Sequence, residues 1–166
     1  MYPMAILHLV FPILFSVLVC FTSKNNWSFM HKFRLAMLNR QKARKLFSLL
    51  VISLMLLLHY LYVTIFPCNW GVIMSSIVCA ILFSYKFMEA MLLRINTSMK
   101  VFFVCAMTSV AVLYIPGLYT IGCSMAVSLL AASLYPTQRA FARWEDSELR
   151  EECYASSQIL LKLYNS

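Results

Sequence analysis

Five long apolar runs, separated by short polar or charged breaks, account for most of this chain. The first, "MAILHLVFPILFSVLVCFT" over residues 4–22, has about 19 residues, against the roughly 20 an α-helix needs to cross a ~30 Å hydrocarbon core. No Lys or Arg precedes it and Lys24 follows it, the reverse of signal-peptide order. A retained span with its N-terminus outside is therefore expected. The second run, 46–66, is the strongest and stops at "PCNWG", a turn signal. The third, 70–86, takes in Trp70 at one end and a snorkelling Lys86 at the other. The fourth and fifth, 100–115 and 118–135, are short and meet at Pro116-Gly117. They form either two thin spans or one re-entrant hairpin. Two spans is the better reading, because a re-entrant segment needs a protein or water-lined surround.

The pattern thus predicts an all-α polytopic transmembrane helical bundle of about five spans over residues 1–135. A cytoplasmic amphipathic helix is expected over 136–166, with the C-terminus inside. Composition agrees: 62% of the 166 residues are hydrophobic and 12% charged, where a soluble domain has about 45–50% and about 25%. Mean hydropathy is +0.78.

Charge then orients the bundle. The net charge is +8, which in a soluble protein would point to nucleic acid. Here Lys32, Arg34, Arg40, Lys42, Arg44 and Lys45 crowd the basic inner loop 23–45. With the N-terminus outside, every Lys and Arg falls on the inner side, as the positive-inside rule requires. These six residues are read first as a topology signal, and no nucleic acid partner is expected. Trp27, Met30, Phe33, Met37 and Leu38 recur among the cations at roughly helical spacing. That leaves open a surface helix on the lipid bilayer, drawn to anionic lipids, beside the alternative of a solvated loop.

The tail differs in composition. Leu149, Cys153, Ser156, Leu160 and Leu163 make one stripe, and five acids crowd positions 145–152. Either the tail folds back on the basic loop, or Trp144, Leu149, Leu160 and Leu163 dock a membrane or cytoplasmic protein partner. Asp146 and Arg150, and likewise Lys86 and Glu89, are spaced for local ion pairs.

Inside the spans, His8 and His59 are the ionisable candidates, as relays or as interhelical hydrogen-bond partners. Cys68 and Cys123 fall at the outer side, where a disulfide could staple two span ends. Small residues from Gly122 to Ser133 suit close packing inside the monomer, or self-association through the fifth span. No phosphate cradle, zinc spacing or catalytic motif stands out, so no catalytic residue, metal ligand or cofactor is assigned. The functional expectation is a small non-enzymatic accessory subunit of a membrane assembly, or an immunity or exclusion protein, in a bacterial inner membrane. A small transporter or channel subunit is the alternative. An integral-membrane enzyme acting on lipid or thiol groups, through inner-loop residues such as His31 or Glu89, is the third.

Overall fold

The computed structural model describes residues 28–115 and 117–164. The first apolar run, with His8, Cys20 and Lys24, lies outside the described residues. Among the described residues there are helices and no strands. In chain order they are α1 (Ser28–Asn39), α2 (Gln41–Ile65), α3 (Trp70–Leu82), α4 (Tyr85–Thr97), α5 (Met99–Leu113), α6 (Tyr119–Ser133), α7 (Gln138–Arg143), α8 (Ser147–Ala155) and α9 (Ser157–Tyr164).

Local chemistry sets many of these boundaries. The Asn69 carboxamide accepts from the Gly71 N–H, Thr137 Oγ1 from Ala140 N–H, and Asp146 Oδ1 from Glu148 N–H. Each cap satisfies a backbone donor that the first helical turn leaves without a partner. Pro67 and Asn69 end the long α2 and start α3 within a few residues.

Two helical segments, Gln41–Ile65 and Tyr119–Arg143, are long and apolar enough to cross a membrane. The bent pair α3 and α4 would make a third if counted as one span. Here the fold departs from the expected third run. That run was read to residue 86, but α3 ends at Leu82 and α4 leaves it at 92°. The cause is amphipathicity. Met88, Leu92 and Ile95 bury one face of α4, while Lys86 and Arg94 occupy other faces. Such a helix lies across the end of a bundle rather than through it.

α2 with α3 and α5 with α6 pack as two antiparallel pairs, each joined by a short turn at the same end, and α6 also contacts α2 and α3. α6 occupies the middle: 61% of the apolar stretch of Tyr119–Arg143 is buried, against 28% for Gln41–Ile65. Its small residues make this possible. Gly122 lies so close to Leu113 that a Cβ there would meet that side chain at 2.8 Å, and Ser109 Oγ donates to Gly122 O at 2.9 Å. The outward faces are apolar instead of polar. Leu50 and Leu57 on α2, Ile73 and Ile81 on α3, and Phe103 and Met107 on α5 are all more than half exposed. A belt of this kind would be an aggregation surface in water and is suited to a lipid surround.

The turn end is locked by the other two glycines. A Cβ on Gly71 would lie 1.6 Å from Gly117 O, so the α2–α3 and α5–α6 turns touch backbone to backbone. Gly117 has φ +91°, a left-handed conformation that only glycine adopts without cost. Tyr62 Oη donates to Gly117 O at 3.0 Å and closes the contact.

Candidate functional site

The opposite end carries the polar chemistry. α1, the first turn of α2, α4 and α7 to α9 form a layer there. From residue 28 on, the basic segment is helical but broken at Arg40, which lies extended between α1 and α2, and its six cations divide into two groups. Lys32, Arg40, Lys42 and Lys45 are exposed. Arg34 is 3% exposed, and Arg44 is half-buried.

Arg44 holds the layer together. Its guanidinium donates to the carbonyls of Met37 (3.0 Å) and Leu38 (3.4 Å), the last turn of α1. Those carbonyls have no partner within the helix, and a cation there also suits the helix dipole. Arg44 Nε further pairs with Glu89 Oε1 at 3.3 Å, and its guanidinium lies over the Phe141 ring at 4.9 Å. Glu89 Oε1 also accepts from Tyr135 Oη at 2.7 Å. Glu89 was expected to pair locally with Lys86, but its ion pair runs across the layer to Arg44 instead. On α4 the carboxylate points inward, while Lys86 is exposed.

The turn after α6 is clamped from three sides. Asn96 Nδ2 donates to Tyr135 O, Tyr164 Oη donates to Leu134 O at 2.7 Å, and Glu89 takes the Tyr135 hydroxyl. Tyr164 is itself covered by Arg34, whose guanidinium lies 5.9 Å from the ring centre. Burial pushes the Tyr164 hydroxyl well above an ordinary phenol, with the Arg34 charge opposing in part. Burial likewise lowers Arg34 from its usual value.

This accounts for the tail. Trp144, Leu160 and Leu163 are 8%, 0% and 4% exposed, and Leu149 packs against the same core. They face α1 and the bundle, with Trp144 Nε1 donating to Asn39 Oδ1 at 3.1 Å. The apolar stripe is therefore occupied within the chain. It is carried on two helices and not one, because Ser156 adopts an extended conformation (φ −125°, ψ 118°) between α8 and α9. Asp146 caps α8 instead of forming the expected pair with Arg150. The acids Glu145, Asp146, Glu148, Glu151 and Glu152 are all exposed, and none forms an ion pair with a described residue. Burial, aided by the neighbouring Glu152, raises the Cys153 thiol.

α1 also differs from a helix lying on headgroups. Met30, Met37 and Leu38, expected to face lipid, are buried beneath the tail and α2. Trp27 lies outside the described residues.

Nearer the turn end, His59 of α2 bonds through both ring nitrogens to α3. Ser75 Oγ is 2.8 Å from Nδ1, and Ser76 Oγ is 3.2 Å from Nε2. Both hydroxyls also lie within bonding distance of Val72 O. A neutral imidazole offers one donor and one acceptor, so rotation of a serine hydroxyl lets the pair serve either tautomer. Cys68 is an exposed free thiol and Cys123 a buried one, so no disulfide joins them. No group of three or more His, Cys, Asp or Glu suited to a metal ion occurs among the described residues.

Sequence reasoning missed Arg34, Asn39, Asn96 and Tyr135 as parts of one layer. Their partners lie 39 to 130 positions away, and no local signal marks them. Comparison with protein-family models, curated proteins and solved structures returns no match.

Proposed function

We propose that the chain is an integral membrane protein of about five spans that works by protein–protein contact and not by catalysis. It is either an accessory subunit of a membrane assembly or an immunity or exclusion protein, in a bacterial inner membrane. The N-terminus and the glycine-locked turns are outside, and the charged layer and C-terminus are inside. Support for this orientation comes from the cations: every Lys and Arg among the described residues lies away from the turns. Support for two separate passes by α5 and α6 comes from Gly117 reaching the level of Gly71.

The observation that carries the interaction reading is the acidic face of the tail. Five exposed carboxylates stand on a segment whose apolar side is anchored in the core. The surface is predominantly acidic, with Arg150 the one cation among the five carboxylates, and is unneeded for internal pairing. Such a surface steers and selects a basic partner. Charge reversal at Glu148, Glu151 and Glu152 tests this directly. A stoichiometric partner that co-purifies with the native protein should be lost from the variant at unchanged thermal stability. Equal recovery from both proteins rejects the acidic face as the contact.

A second reading, a small transporter or channel subunit, is favoured by His59 alone. An imidazole bonded at both nitrogens by hydroxyls could pass a proton along α2 and α3. Abolition of a proton or metal flux by His59→Ala would establish it.

A further inference from the structure

The 92° bend between α3 and α4 brings together cations and exposed apolar side chains that the internal packing does not use. Lys45 Nζ lies 4.7 Å from the centre of the Tyr85 ring, which fixes the first turns of α2 and α4 side by side. Lys42, one turn before Lys45 on the same side of α2, and Lys86, next to Tyr85, are both exposed. No carboxylate neutralises this corner, since Glu89 is held by Arg44 and Tyr135. Directly beside the three ammonium groups the surface turns apolar. Leu46 and Leu49 follow along α2, and Phe83 and Phe87 flank the bend, all between 43% and 69% exposed.

The geometry points to a binding site for one anionic phospholipid at this bend, with its phosphate between Lys42, Lys45 and Lys86. Its acyl chains lie along Leu46, Leu49 and Phe83. The site rests on the membrane reading above and deepens it by naming a lipid class and a location. Apolar continuity favours a lipid over a free phosphate, because these leucines and phenylalanines offer acyl chains a surface directly next to the cations. Tyr85 adds a specific element: it holds the Lys45 ammonium in place while leaving its remaining donors free. A diffuse basic surface would not need that arrangement. By contrast, Arg34 and Arg44 are turned into the protein and take no part.

Each cation near the surface contributes enough that removing two should weaken binding on the order of tenfold or more. The test uses full-length protein purified in a neutral detergent. Binding of phosphatidylglycerol and phosphatidylcholine is titrated by native mass spectrometry. The double variant Lys45→Gln with Lys86→Gln is compared with a control, Lys32→Gln with Arg150→Gln, that removes the same charge elsewhere on the layer. Thermal midpoints without lipid check that both variants fold. The expected result is a phosphatidylglycerol preference that falls about tenfold in the bend variant and less than about twofold in the control. Equal losses in both variants would reduce the effect to diffuse attraction and overturn the site, as would the absence of any preference. Alkaline extraction of native membranes separates the two levels. Retention in the pellet without lipid preference removes the site alone, whereas release to the supernatant removes the membrane reading and the site with it.

Discussion

Gly71→Ala sets two elementary effects against each other. In an isolated helix the change is favourable, since alanine exceeds glycine in helix propensity by up to about 1 kcal/mol. In this protein the new Cβ would sit 1.6 Å from Gly117 O and 2.5 Å from its carbonyl carbon. Neither atom belongs to a side chain that can rotate away. Restoring ordinary contact requires the two turns to part by about 2 Å, which also breaks the Tyr62 hydroxyl bond to Gly117 O. Overpacking of this kind costs about 1–3 kcal/mol, and the hydrogen bond roughly 0.6 kcal/mol more in a membrane setting. After the propensity gain, a net loss of about 0.5–2.5 kcal/mol remains. Unfolding of the purified protein by heat or by SDS, followed by far-ultraviolet circular dichroism, measures it. The variant should unfold earlier than the native protein. An unchanged or later midpoint would mean that propensity dominates and that the turns do not touch, which would refute the locked end.

Gly117→Ala should destabilise by about 1–3 kcal/mol for a different reason, the left-handed backbone at φ +91°, and the same unfolding assay reads it. Glu89→Gln keeps an acceptor for Tyr135 and loses only a partly exposed ion pair, so a loss of about 0.5–1 kcal/mol is expected. Arg44→Met also strips the caps from the Met37 and Leu38 carbonyls and should cost more, about 2 kcal/mol, in a parallel measurement. Tyr164 has its folded-state value raised, so its contribution to stability is intact below the ordinary phenol value of about 10 and is lost as pH rises above it. Tyr164→Phe should flatten that alkaline fall in a pH series of unfolding midpoints. Cys153, buried and raised, should resist alkylation at neutral pH under conditions where exposed Cys68 reacts, as peptide mapping after a timed maleimide pulse would show.

How much of this was legible in the sequence varied with the range of the interactions. The helical class, the α2 segment and the turn at Pro67–Gly71 are local matters of apolar run length and turn chemistry, and they read directly. So did the tail stripe, whose members Cys153, Leu160 and Leu163 are all buried although the helix breaks at Ser156. The bend after Leu82 was harder. The run stays apolar as far as Tyr85, and only the inward placement of Met88, Leu92 and Ile95 explains the change of direction. The charged layer was nearly invisible. Six closely spaced cations look equivalent in sequence, yet Arg44 caps α1 and reaches Glu89, 45 positions on, while Lys42 and Lys45 face outward. Nothing local distinguishes them, because the distinction depends on where α4 and the tail come to rest. The glycines illustrate the same limit: Gly71 and Gly117 read as turn residues, but not as mutual contacts.

In the proposed topology the glycine-locked turns lie outside and the charged layer inside. Cys68, exposed on the α2–α3 turn, provides a native probe of that arrangement. Intact cells would be treated with a membrane-impermeant maleimide, alongside cells carrying Cys68→Ser. Labelling of the native protein without permeabilisation, and its loss in the variant, is the predicted result. Labelling of Cys68 only after the membrane is opened would invert the topology and contradict the account.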